Sequence, residues 1–175
     1  MKLEERAIDF SLKGTDGKTY SLNSFQSSQA LVIIFSCNHC PYVKAYEDRM
    51  IALENKYQKR QVSLIAINSN DFQSYPEDSF EEMQRRSQEK KFNFPYLHDF
   101  SQKVAQDYEA THTPHLFVFD QNRQLAYTGK IDDNWQDKNA VKEKYLEEAL
   151  EDILSGKKVR LPQTHAIGCT IKWKK

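Results

Sequence analysis

The segment Cys37-Asn38-His39-Cys40-Pro41 holds the side chains best suited to chemistry. Two intervening residues let both sulfurs meet within one helical turn, so a short disulfide can open and close between them. A cysteine at a helix start meets unpaired backbone N–H groups and the positive end of the helix dipole. Both favour thiolate over thiol, and such sites bring a cysteine pKa from about 8.5 into a range of about 3.5–7.5. Cys37 is expected to be the more exposed sulfur and the nucleophile. Cys40, one turn further in, is expected to resolve the mixed disulfide. His39 admits two readings. When protonated, it would stabilise the Cys37 thiolate and make the disulfide more oxidising; otherwise it is a solvated loop residue.

A C-x-x-C also serves zinc, which needs two further ligands at suitable spacing. There is no second C-x-x-C, and the third cysteine, Cys169, is remote in sequence. Cys169 reads more simply as a free thiol in a packed tail than as a redox partner reached by a folded-back tail. His115 follows Pro114 and is expected near the cysteines, where with Cys37, Cys40 and His39 it could form a soft-metal site. That reading is subordinate: no metal is assigned and no cofactor is expected. His112 is ambiguous in the same way.

The elements around the pair can be read from periodicity. Residues 7–29 suggest a hairpin, with Phe10 and Leu12 before the Asp16-Gly17 turn and Tyr20 and Leu22 after it. Residues 30–35 are continuously apolar, as in a strand buried on both faces. A helix follows, opened by Pro41, with Val43, Tyr46, Met50, Leu53 and Tyr57 on one stripe. Residues 62–67 form a second buried strand, giving a βαβ unit with a parallel pairing. Residues 68–75 read as a polar loop, and Pro76 opens a charged helix reaching about Lys90. Residues 92–100 read as irregular, and Ser101 as the cap of a short helix. Thr113-Pro114 precedes a strand at 115–119, paired through a turn with 125–128. Asp132, Asp133 and Trp135 read as a surface turn. A last helix is expected from about Gln136 to Leu154, closed by Gly156. Residues 157–175 form a basic tail with enough apolar residues to pack.

Composition agrees with one domain across the 175 residues. Aromatics are plentiful, with ten Phe, nine Tyr and two Trp, so a core can form despite the polar average. Lys plus Arg and Asp plus Glu number 25 each, which gives no support for nucleic-acid binding. No apolar run approaches the roughly 20 residues that span a bilayer, and the first residues lack the apolar core of a signal peptide. The chain therefore reads as cytoplasmic, without membrane partners. In a reducing compartment a close cysteine pair is catalytic, redox-sensing or metal-binding.

These segments together resemble the thioredoxin superfamily, and more narrowly its peroxiredoxin-like AhpC/TSA or redoxin branch. The resemblance rests on Phe10-Ser11-Leu12-Lys13-Gly14 with Asp16-Gly17, on residues 37–43, and on Ala66-Ile67-Asn68-Ser69-Asn70-Asp71. It also rests on Thr113-Pro114-His115, Gly129-Lys130-Ile131-Asp132-Asp133-Asn134 and Gly168-Cys169-Thr170-Ile171-Lys172-Trp173. It implies an α/β fold with a central mixed sheet flanked by helices, the hairpin at 7–29 and a helical insertion over 71–100. It implies a cis Pro114 against the cysteines, with the Thr113 backbone free to dock a partner chain and Pro41 beside the pair. The implied activity is thiol–disulfide exchange with protein or small-molecule thiols and disulfides. A thiol peroxidase, or a metal-carrying or redox-sensing module, is the alternative. Departures matter as well. Leu31 stands where thioredoxins carry a buried Asp, and Ser36 where they carry Trp. Cys37 stands where peroxiredoxins carry Thr or Ser before their peroxide-reactive cysteine, the position of Cys40. The oligomeric state is not legible.

Overall fold

The structure, a computed structural model, describes all 175 residues. Strands β1 (Leu12–Gly14), β2 (Thr19–Tyr20), β3 (Ala30–Ser36), β4 (Val62–Asn68), β5 (Tyr96–His98), β7 (His115–Phe119) and β8 (Leu125–Gly129) form one mixed sheet in the order β2-β1-β5-β4-β3-β7-β8. The helices are α1 (Pro41–Tyr57), α2 (Phe80–Lys90), α3 (Lys103–Asp107) and α4 (Tyr145–Leu154). Two short strands, β6 (His112–Thr113) and β9 (Cys169–Thr170), pair separately.

The continuous apolar runs have a simple cause. Side chains alternate across a strand, and both faces of β3 and β4 are covered. Ala30, Val32, Ile34, Val62, Leu64 and Ala66 enter one core with Tyr46, Met50, Leu146 and Leu150. Leu31, Ile33, Phe35, Ile65 and Ile67 enter the other with Phe10, Tyr108 and Phe117. β3 and β4 pair in parallel across α1, and β7 pairs antiparallel with both β3 and β8, as the pattern predicts. No helix is long and apolar enough to cross a membrane.

Five expectations change. The hairpin narrows to β1 and β2, followed by a 3-10 turn at Leu22–Phe25. The stretch expected to be irregular contains β5, which bridges β4 and β1. The charged helix starts at Phe80, not Pro76, because Ser79 Oγ accepts the Glu82 N–H and sets a new N-cap. The last helix starts at Tyr145. Residues before it are held in turns by side chains that compete for backbone N–H groups. Asn134 Oδ1 accepts from Gln136 and Asp137, and Asp133 Oδ1 accepts from Lys142. Asp132 is not on a surface turn either. It is buried, and it accepts from Tyr46 Oη at 2.7 Å and Arg49 Nη1 at 2.8 Å.

The tail returns across the sheet ends. Thr164 N donates to Thr128 O, Ile171 N to Thr111 O, Lys172 N to Asn70 Oδ1, and Asp71 N to Lys172 O. Ile171 is buried in the second core.

Candidate active site

Cys37 to Cys40 make the turn between the end of β3 and the start of α1. Pro41 occupies the first helical position, where a missing N–H costs nothing. Cys40 is the N-cap residue, and its sulfur faces the Val43 N–H. Asn38 anchors the other side of the turn. Its N–H donates to Asp78 Oδ1 at 2.8 Å, its amide to Glu77 O at 2.8 Å, and its Oδ1 accepts from Tyr96 Oη at 2.8 Å. Asp78 is fully buried. Burying a carboxylate alone would be costly, but Asn68 and Asn70 amides also donate to it, at 3.1 and 3.0 Å.

His39 turns toward this network. Its Nδ1 lies 2.9 Å from Asp78 Oδ2, its Nε2 lies 3.7 Å from Glu77 Oε1, and its ring stacks on Tyr75. It is therefore held in place and is not a solvated loop residue. Cys37 Sγ, a His39 ring nitrogen and an Asp78 oxygen lie within 4.8 Å of one another. Asp78 already accepts three amide hydrogen bonds, which counts against its use as a metal ligand.

The Thr113–Pro114 bond is cis. Cys37 Sγ lies 3.5 Å from Thr113 Oγ1, and Cys40 Sγ lies 3.4 Å from Thr113 O. The Thr113 backbone is not free, against expectation: it pairs with Cys169 in the β6–β9 ribbon. The tail thus folds back onto the pair, and Cys169 Sγ comes within 2.8 Å of Cys40 Sγ. The plain reading of Cys169 as a thiol packed elsewhere is overturned. Gly168 makes the approach possible, since a Cβ there would sit 2.1 Å from Thr113 O.

His115 does not join the site. Its Nδ1 accepts from Thr111 N at 3.2 Å, its Nε2 lies 3.3 Å from Thr128 Oγ1, and its ring packs on Phe117. Both nitrogens are thus engaged, and burial pushes its pKa down to about 4. The soft-metal set that included His115 does not form. His112 Nδ1 instead lies 2.7 Å from its neighbour Thr111 Oγ1.

All three cysteines are free thiols. Cys37 is 2% and Cys40 0% exposed, while Cys169 is partly exposed. The expected outward-facing Cys37 is therefore not seen. Hydrogen bonding sets the two thiols of the pair apart. The Cys40 thiol is brought down to about 4, first by a hydrogen bond from Cys37, then by Cys169 and by backbone N–H groups, against burial. Cys37 is held up by giving that hydrogen bond, by burial and by the Asp78 charge. Burial, with the hydrogen bond given to Cys40, raises Cys169 to about 11.

Sequence reasoning missed Asp78, Asn68, Asn70 and Tyr96. The polar cluster Asn68-Ser69-Asn70-Asp71, directly after a buried parallel strand, was the available signal, because ligands gather at the carboxyl ends of such strands.

No functionally curated protein matches this chain. Among solved structures, a hypothetical protein from Sinorhizobium meliloti 1021 superposes with a TM-score of 0.94 at 36% identity, covering 99% of this chain and 96% of its own. An uncharacterized conserved protein from Geobacillus kaustophilus gives 0.93 at 40% identity, covering 99% and 93%. A thiol:disulfide interchange protein of the thioredoxin family from Chlorobium tepidum TLS gives 0.67 at 16% identity, covering 88% and 99%, and shares the fold. Residues 3–128 match the AhpC/TSA family, and with the thioredoxin-like sheet, the cis Thr113–Pro114 bond and the paired thiols in place, the chain belongs to that family.

Proposed function

We propose that this chain is a thiol–disulfide oxidoreductase whose reacting pair is Cys37 and Cys40. One observation carries the reading: two thiols packed against each other at a helix start. With the tail lifted from it, the Cys40 thiolate attacks one sulfur of a partner disulfide, and the other half of the partner leaves as a thiolate. Cys37 then loses its proton and attacks Cys40 Sγ. The second half of the partner departs, and a Cys37–Cys40 disulfide remains. Two electrons have passed from the dithiol to the partner. His39, with a ring nitrogen within 4.8 Å of Cys37 Sγ, is the base placed to take the Cys37 proton.

Equilibration with glutathione buffers of graded poise, followed by acid quench and alkylation, tests the reading. Cys37 and Cys40 are expected to be lost together as one two-electron couple. A Cys37→Ser/Cys169→Ser variant, with Cys40 alone, is expected to hold glutathione in a reducible mixed disulfide. No Cys37–Cys40 disulfide at any poise would overturn the reading.

A second reading, thiol peroxidase, is favoured by the thiolate at Cys40 and by the family. Cys40 would attack a peroxide oxygen, giving a sulfenate and an alcohol or water. Against it, Cys37 replaces the Thr or Ser of that chemistry, and no guanidinium lies among the hydrogen-bond partners of Cys40. Stopped-flow oxidation by hydrogen peroxide no faster than that of free cysteine would remove it.

A further inference from the structure

The three sulfurs differ in access. Cys37 and Cys40 are sealed beneath the tail, and Cys169 on that tail is the one that reaches solvent. A partner thiol or disulfide approaching this closed state meets Cys169 first.

The tail is built to keep Cys169 there. Cys169 pairs with Thr113 and Thr170 with His112 in antiparallel register. Gly168 lies against the Thr113 carbonyl, where no other residue fits. Beyond it, Ile171 is buried and Lys172 is hydrogen-bonded by both Asp71 N and Gln102 Nε2. Cys169 Sγ is held 2.8 Å from Cys40 Sγ. A disulfide is about 2.05 Å long, so closing the bond needs under ~1 Å of movement.

We propose that Cys169 is a third redox thiol of this site, forming a disulfide with Cys40 that carries the oxidised state of the buried pair to the surface. The proposal rests on the oxidoreductase reading of Cys37 and Cys40. Starting from a Cys37–Cys40 disulfide, Cys169 gives up its proton and its sulfur attacks Cys40 Sγ. The Cys40–Cys169 bond forms as the Cys37–Cys40 bond breaks. Cys37 leaves as thiolate and takes the proton, so the exchange has no net oxidation. In the new disulfide the reachable sulfur is Cys169. An external thiolate attacking it expels Cys40, the sulfur most stable as thiolate, and low-pKa thiols leave fastest.

The test uses full-length Cys37→Ser and Cys169→Ser chains, each oxidised with glutathione disulfide, quenched in acid, alkylated and mapped by mass spectrometry. Circular dichroism of each reduced variant confirms folding, and Cys→Ala versions replace any variant that fails it. Cys37→Ser is expected to lose both remaining thiols to a Cys40–Cys169 crosslink, and the wild-type chain to yield that crosslink beside Cys37–Cys40. If Cys37→Ser gives only glutathione adducts while Cys169→Ser still closes Cys37–Cys40, the third-thiol role is overturned and the oxidoreductase reading stands. If Cys169→Ser fails to close while Cys37→Ser does, the oxidoreductase reading falls and the Cys40–Cys169 bond is upheld.

Discussion

Gly168→Ala is the sharpest perturbation of the site that leaves every thiol and hydrogen-bonding group intact. A Cβ at position 168 would lie 2.1 Å from Thr113 O, 2.7 Å from Thr113 C and 3.2 Å from Pro114 N. Carbon and carbonyl oxygen normally approach to about 3.3–3.6 Å, so the tail must retreat by more than ~1 Å. The atoms it meets are backbone, held in the β6–β9 ribbon, and cannot rotate aside. Overpacking of this kind costs about 1–3 kcal/mol. The chain can relieve it by lifting the tail from the cysteines, at the loss of the Cys169–Thr113 pairing and the Cys40–Cys169 contact. A bias of 1–3 kcal/mol toward the lifted state corresponds to about 5- to 150-fold, and the rate at which Ellman's reagent titrates Cys40 is expected to rise by that factor. Gly156→Ala serves as control. Its φ of +71° makes the substitution strained, yet nothing lies within 4 Å of the added Cβ, so it should lower stability without exposing the thiols selectively. Equal thiol rates in Gly168→Ala and wild type, with unchanged thermal unfolding, would refute the view that close contact at Gly168 seals the site.

Three further outcomes are expected. Burial pushes the Glu54 carboxyl up to about 7, and its Oε2 has no partner. A raised carboxyl adds stability below its unfolded pKa, and that stability is lost as pH rises from about 4.5 to 7. Glu54→Gln should therefore raise the unfolding free energy at pH 8 by about 1–2 kcal/mol, after screening of the half-exposed group, and leave it unchanged at pH 4. Denaturant melts at the two pH values check this. Alkylation of Cys40 in the Gly168→Ala chain should reach its plateau well below pH 8.5, since the hydrogen bond from Cys37 and the Val43 N–H still hold the thiol down once the Cys169 contact is lost; a rise centred near 8.5, the value of an ordinary cysteine, would contradict the thiolate assignment. Asp78→Asn removes a charge that holds Cys37 up, so differential alkylation followed by mass spectrometry should show Cys37 gaining on Cys40 at pH 8. The same change should cost about 1–3 kcal/mol, because an amide cannot accept all the donors converging there.

What was legible in the sequence was local. The apolar runs of β3 and β4, the stripe of α1 and the 115–128 hairpin follow from side-chain period, and they place Cys37 and Cys40 at a strand–helix junction. The Thr113-Pro114 segment was legible through resemblance. What was not legible depends on contacts distant in sequence. β5 is only Tyr96–His98 and exists because β4 and β1 flank it, so no period announces it. The late start of α4 reflects Asp and Asn side chains taking backbone N–H groups that a helical pattern assigns to the helix. The tail's course is decided at Gly168 and Gly129, where a neighbouring backbone passes too close for any side chain. A glycine in a sequence does not say which distant strand will press on it.

The contrast between Cys37 and Cys40 follows first from the hydrogen bond between them, and the position of the buried acid adds to it. At Leu31, six residues before Cys37, the strand contributes an apolar side chain fully buried in the second core. The acid comes instead from the insertion, as Asp78, and reaches the site through Asn38, Asn68 and Asn70. That route brings its charge beside Cys37. Negative charge on the pair is then resisted at Cys37 and welcomed at Cys40, where the Val43 N–H and the start of α1 lie. Once Cys40 holds the charge, the tail has reason to end on that sulfur: a thiol at Cys169 can donate to it, and can replace Cys37 as its disulfide partner. The insertion and the tail, both outside the βαβ unit that carries the C-x-x-C, thus set the charge beside Cys37 and decide which sulfur meets solvent.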